Sequence, residues 1–163
     1  MDEKMANYAL EEKESFTVLG IGTDLKSDYT DYAGINKEKL EFWQAAQQDG
    51  RLDALKAVAE NDYIFAVNEA VNNKMMYYAG VMTNATLPEA SRVILFPKGE
   101  YLVVQGEAQT ADMLGNMLTG IAFGQVLPEA KDFAYVGGPN ATVEMGQRDG
   151  MVFGEVWIPV VRK

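Results

Sequence analysis

The chain has 163 residues and contains neither cysteine nor histidine. Without cysteine there is no disulfide framework and no thiol nucleophile. Without histidine the commonest zinc ligand, the usual general base and the Ser-His-Asp triad are excluded. Carboxylates alone remain as metal ligands, and no calcium-loop pattern of spaced Asp and Asn followed by Gly and Glu occurs. Basic residues are also scarce, 14 Lys and Arg against 24 Asp and Glu, for a net charge of −10. That lacks the electrostatic footprint of a nucleic-acid binder, so no direct contact with DNA or RNA is expected. An acidic field keeps the protein soluble and attracts cations. No apolar run reaches the ~20 residues needed to span a bilayer. The polar, charged first residues lack the apolar core of a signal peptide. The expected location is cytoplasmic, with no membrane partner.

What is present fits one globular domain over residues 1–163. Hydrophobic residues are 48% and charged residues 23%, ordinary values for a chain long enough to bury a core without staples. The last stretch, Met151 onward, reads as a strand whose side chains point alternately to its two faces. Phe153, Glu155 and Trp157 share one face, and Val152, Val156, Ile158 and Val160 the other. Both faces are largely apolar, so this strand is expected to be covered on both sides. Glu155 is then a carboxylate among aromatics. A buried, unpaired carboxylate costs on the order of several kcal/mol, so such a group is neutralised, paired or held for a ligand.

Taken in order, residues 8–25 hold a first strand, with a polar lead-in and with Gly20 and Gly22 marking a bulge or a close backbone approach. A polar loop carrying Tyr29 and Tyr32 follows. Asn36 is the expected cap of the next helix, whose apolar stripe runs through Leu40, Trp43 and Ala46, with Gly50 closing it. A short second helix carries Leu52, Leu55 and Ala59. Residues 63–67 and 74–82 form a hairpin around Asn72-Asn73, with Met75, Tyr77, Ala79 and Val81 facing one way and Met76, Tyr78, Gly80 and Met82 the other.

After a connector containing Pro88 the pattern restarts. Residues 92–106 form a long strand broken at Pro97-Lys98-Gly99. Thr110 caps a helix with a Leu114, Met117, Leu118 and Ile121 stripe; Gly115 and Gly120 suggest close packing, and Pro128 ends the helix. Strands at residues 133–136, 142–147 and 151–161 complete the chain, the last two joined at Asp149-Gly150. Strand, helix, strand, strand thus occurs twice, at about residues 8–82 and 92–162. The expected fold is α+β: duplicated units forming antiparallel sheet with pseudo-twofold symmetry and a central groove.

Glu144 lies on the strand before Glu155, across a short turn. Aromatic candidates to accompany the two carboxylates are Trp157, Phe153, Tyr101, Tyr135, Tyr77, Tyr78 and Trp43. Carboxylate plus aromatic rings is the chemistry that takes lipophilic cations. The rings give apolar burial and cation–π attraction of roughly 0.5 to 2 kcal/mol each, and the carboxylate gives the counter-charge. The same residues also read as solvated strand carboxylates over ordinary aromatic core.

Phe96-Pro97-Lys98-Gly99-Glu100-Tyr101, Val143-Glu144-Met145 and Glu155-Val156-Trp157-Ile158-Pro159, in this order and spacing, resemble the GyrI-like small-molecule-binding domain. That is the effector-binding domain of AraC- and MerR-type multidrug regulators, which also occurs free-standing. The resemblance covers nearly the whole chain. It implies paired strand-helix-strand-strand units and an aromatic pocket between the halves. By motif position Glu144 matches the family's principal glutamate and Glu155 a second acidic residue, with Tyr77 or Tyr78 near the pocket. Many relatives carry an aromatic two residues after the Glu144 position; here Gly146 stands there and is expected to open that wall. The first strand starts within the first twenty residues, so no helix-turn-helix unit is expected before it, and a regulatory output would pass through another protein.

The leading expectation is therefore a sensor that binds a hydrophobic, cationic small molecule through Glu144, Glu155, Trp157, Tyr77, Tyr78, Trp43, Tyr101 and Phe153. It needs no cofactor and no metal. Two alternatives use the same features. One is a hydrolase of electrophilic small molecules, as some free-standing relatives are, with Glu155 as general base. The other is an acidic protein-interaction module.

Overall fold

The computed structural model describes residues 8–28, 30–71, 74–85, 92–135 and 139–163. Tyr29, the Asn72-Asn73 turn, the Pro88 connector and Val136 lie outside the described residues. The elements are β1 (Tyr8–Lys13), β2 (Phe16–Leu25), α1 (Tyr32–Gln48), α2 (Arg51–Val58), β3 (Ile64–Val71), β4 (Lys74–Met82), β5 (Arg92–Phe96), β6 (Gly99–Ala108), α3 (Ala111–Ile121), a π-helical turn (Ala122–Val126), α4 (Leu127–Glu129), β7 (Phe133–Tyr135), β8 (Asn140–Arg148) and β9 (Met151–Arg162). The fold is α+β. It divides into two compact units, Thr17–Phe96 and Met1–Phe16 with Pro97–Lys163. The sequence repeat places the boundaries elsewhere. The expected first strand splits in two, and the long strand at 92–106 breaks at Pro97-Lys98. At the second break Pro97 has no amide to give to a ladder, and it ends β5 before β6 begins at Gly99.

In the Thr17–Phe96 unit the strand order is β3-β4-β2-β5, and β2 and β3 both run antiparallel to β4. Helices α1 and α2 cover one face. Leu19, Ile21, Leu25, Tyr77, Ala79 and Val81 meet Ile35, Phe42, Ala46, Leu52 and Leu55 there, with Met75 alongside. The face assignment of β4 read from alternation holds. Full burial of each Leu, Ile or Phe in this layer contributes roughly 1.5–3 kcal/mol. Helix α1 starts at Tyr32 rather than after Asn36, because the Asp31 carboxylate accepts the Gly34 amide at 3.1 Å. Its buried stripe is Ile35, Phe42 and Ala46, while Leu40 is exposed. Gly50 follows the last residues of α1 with φ +84, a left-handed turn suited to glycine, and α2 begins at once. The expected close approach occurs at Gly22: a side-chain carbon there would lie 2.5 Å from the Tyr78 ring.

In the other unit the order is β1-β6-β9-β8, with β7 also on β9, and every pairing is antiparallel. Helix α3 is capped by Thr110, whose hydroxyl accepts the Met113 amide at 3.1 Å. It lays Leu114 and Leu118 on Leu102, Val104, Val152, Val156, Ile158 and Val160. The helix does not stop at its apolar stripe. It runs on through the π-helical turn, which buries Ala122 and Val126, and ends beyond Pro128 at Ala130. Asp149 (φ 53) and Gly150 (φ 78) form the tight turn that joins β8 to β9.

Candidate functional site

Residues directly opposite on antiparallel strands share a face. Register therefore aligns Lys13 with Gly99, Glu11 with Tyr101, Val103 with Trp157, Gln105 with Glu155 and Glu107 with Phe153. These side chains lie on the face turned away from α3, since the alternate residues Val104, Val156 and Ile158 pack under the helix. Strand β9 is covered on both sides only in its second half. Trp157 is buried, but Phe153 and Glu155 remain half-buried. The expectation of full cover fails there because the Gly154–Phe153 end of the strand is flanked by the polar Gln105 and Glu107.

Glu155 is held by two donors. The Trp157 indole N–H donates to Oε1 at 2.7 Å, and the Gln105 amide donates to Oε2 at 3.2 Å. Hydrogen bonds to a charged acceptor contribute about 1.5–3 kcal/mol when well formed. The carboxylate is thus fixed in place by two uncharged donors. Lys13 Nζ rests 4.0 Å from the centre of the Trp157 ring and 3.5 Å from Glu11 Oε1. Phe16 meets Trp157 edge-on at 5.6 Å between ring centres. Indole, phenyl ring and carboxylate accordingly surround a spot already favourable to positive charge.

The other predicted residues are distributed as follows. Tyr101 is fully buried on this face, and its hydroxyl donates to the Pro97 carbonyl at 2.7 Å. Burial pushes its phenol up to about 12. Phe153 lies under the Arg148 guanidinium, 4.7 Å from the ring centre. The space beside Gly146 is not open: a side-chain carbon there would lie 3.1 Å from the Phe153 ring. Glu144 is half-buried and sits opposite Gly154, next to a β-bulge between Glu144 and Gly146. Register aligns Val143, rather than Glu144, with Glu155.

Trp43, Tyr77 and Tyr78 belong to the Thr17–Phe96 unit. Trp43 Nε1–H donates to the Tyr77 hydroxyl at 2.6 Å, and both pack with Phe42 in the layer beneath the helices. Tyr78 takes the opposite face of β4. It lies beside Glu69, whose carboxylate receives Arg92 Nε and Nη2 at 2.8 and 2.9 Å. Burial first, then the Glu69 charge, raises the Tyr78 phenol, and Arg92 partly offsets this. Sequence reading missed Glu69, Lys13, Phe16 and Gln105. Alternation placed Glu69 in phase with Phe65 and Val67, which was the available signal. Lys13 gave none, because a lysine in a polar edge stretch looks like any solvated charge.

Among the described residues no group of three or more Asp or Glu is arranged to hold a metal ion. No described helix is long and apolar enough to cross a membrane.

Solved structures resemble this one over nearly its whole length. SAV2435 bound to tetraphenylphosphonium has a TM-score of 0.76 at 18% identity, covering 95% of this chain and 94% of that one. The integron cassette protein VCH_CASS2 from the mobile metagenome of Vibrio cholerae has a TM-score of 0.59 at 10% identity, covering 94% and 95%. The EcmrR C-terminal domain has a TM-score of 0.57 at 10% identity, covering 97% and 99%. At such identities the likeness is one of fold, and it agrees with the GyrI-like resemblance of the sequence. No curated protein matches the chain. Residues 9–160 match the family of integron-associated effector binding proteins. The chain belongs to that family, Cass2.

Proposed function

We propose that this protein binds a hydrophobic, cationic small molecule, with Glu155 as counter-charge and Trp157 as aromatic wall. The observation that carries this reading is the Trp157 N–H···Glu155 bond of 2.7 Å beside a ring that already carries an ammonium at 4.0 Å. The indole orients the carboxylate and offers its own face to a cation at the same time. Each such ring contact contributes roughly 0.5–2 kcal/mol, more as water is excluded. The net charge of −10 draws cations toward the protein at low salt. Tetraphenylphosphonium, the ligand of SAV2435, combines the required charge and apolar surface. By register Glu144 shares the face of Gly154, the one toward α3, so of the two carboxylates this proposal rests on Glu155 alone.

The test is calorimetric titration with tetraphenylphosphonium. Saturable binding is expected in the wild type. Glu155→Gln keeps the shape and the hydrogen bond to Trp157 but removes the charge, and is expected to weaken binding about tenfold or more, the equivalent of ~1.4 kcal/mol. Unchanged affinity in Glu155→Gln refutes the proposal, and Glu144→Gln, on the face toward α3, is expected to bind like the wild type.

A further inference from the structure

Resting on the cation-binding reading above, we infer that Lys13 is a tethered competitor for the Trp157 site and sets which cations the protein accepts. Its ammonium occupies the position over the indole that a ligand cation would take, 4.0 Å from the ring centre. Its side chain is only 18% exposed, so the charge is laid along the protein rather than extended into water. The compensation it finds there is modest. Glu11 is at 3.5 Å, at the outer limit of a hydrogen bond, and is itself 44% exposed. Glu155, the better-held carboxylate, is bonded to Trp157 and Gln105.

The placement comes from the chain itself. Strand β1 pairs with β6 in a register that puts Lys13 opposite Gly99, a residue with no side chain to obstruct the reach toward β9. Three residues later Phe16 packs its ring edge-on against Trp157. The short link between β1 and β2 therefore delivers both an aromatic wall and a cation to the same indole. A lysine held at a ring by its own backbone is an intramolecular ligand whose effective concentration is set by the tether and does not depend on what is dissolved around it.

An incoming cation must displace that ammonium. A small, strongly hydrated cation gains from the ring no more than Lys13 does, and has in addition to be desolvated. A lipophilic cation brings apolar surface that lysine lacks, so it displaces Lys13 and the ammonium swings out to water. Lys13 thus excludes ordinary ammonium groups while admitting cations with large apolar bodies. This is selection by a built-in competitor rather than by added contacts to the ligand.

The experiment compares wild type, Lys13→Met and Lys13→Arg by calorimetric titration with tetraphenylphosphonium and with neutral triphenylphosphine oxide. Lys13→Met retains an apolar chain over the indole and removes only the charge. It is expected to bind the phosphonium about 3- to 30-fold more tightly, which is one cation–π contact converted to affinity. Its affinity for the neutral oxide is expected to rise by a similar factor, because any occupant of the ring has to displace the ammonium, and Lys13→Arg is expected to bind like the wild type. If the wild type binds the phosphonium and Lys13→Met binds it no more tightly, this inference fails while the binding reading stands. Tightening confined to the phosphonium also overturns it, because Lys13 would then be acting by charge repulsion and not as a competitor for the ring. If neither wild type nor Lys13→Met binds the phosphonium, the binding reading fails and takes this inference with it.

Discussion

Gly154 separates Phe153 from Glu155 on β9, and its replacement by alanine tests the packing that presents the site. A side-chain carbon at Gly154 would lie 2.1 Å from the Val143 carbonyl oxygen and 3.2 Å from Leu114 Cδ2. The first contact is with backbone, so no rotamer change relieves it. An ordinary contact needs roughly 1 Å more, and β8 must move away from β9 by about that much. That movement weakens the neighbouring ladder bonds, each contributing ~1 kcal/mol net. It also strains the Leu114 layer, and overpacking of that kind costs about 1–3 kcal/mol. The expected loss for Gly154→Ala is on the order of 3 kcal/mol, a fall in Tm of roughly 6–12 °C for a chain of this size. Gly120→Ala is the internal control. It lies in α3 with nothing within 4 Å of the new carbon. There alanine is expected to stabilise by about 0.5–1 kcal/mol through helix propensity. Urea denaturation with a shared m value measures both. An unchanged midpoint for Gly154→Ala, or a lower one for Gly120→Ala, would refute the packing described for β8, β9 and α3.

Two further outcomes concern pH. Tyr101 ionises near pH 12 in the folded protein and near 10 when exposed. A raised value of this kind means that stability is fully present below pH 10 and is lost between pH 10 and 12, by on the order of 2–3 kcal/mol. The advantage of the wild type over Tyr101→Phe should fall through that window and reverse in sign. At neutral pH the variant should lose ~1 kcal/mol with the bond to the Pro97 carbonyl; a difference that is flat with pH contradicts the burial of this phenol. At the acid end, the Glu38 carboxylate accepts the Lys26 and Ser27 amides at 2.9 and 2.8 Å, and these bonds, the Lys26 amide first, hold it below the ordinary value of 4.5. Its contribution is present above pH 4.5 and is lost as pH falls through the lower folded value, so Glu38→Gln should flatten the acid limb of a stability profile. An acid limb identical to wild type would show that this clamp on the 26–28 loop is not formed in solution.

The sequence by itself determined what depends on short-range periodicity and turn chemistry. Alternation put Glu155, Trp157 and Phe153 on one face of β9, separated Tyr77 from Tyr78, and placed Met75, Tyr77, Ala79 and Val81 together. Thr110, Gly50 and the Asp149-Gly150 turn ended or started elements as their residue types require. Each of these is settled within a few residues, by two-residue or 3.6-residue repeats and by local hydrogen bonds.

The tertiary structure decided everything that depends on a partner distant in sequence. The start of α1 is tied back to the end of β2 by Glu38, which accepts the Lys26 and Ser27 amides, while the first helical residue, Tyr32, is 73% exposed and gave no apolar signal. Leu40 lost its expected place to Phe42 because the helix phase is set by what α1 packs on. Trp43 and Tyr77 became partners beneath the helices through a hydrogen bond that no spacing encodes. Lys13 reached Trp157 because β1 pairs with β6 and not with the strand that follows it, which alternation has no means to state: a strand's faces are local properties, but its register is a free-energy contest among all available edges.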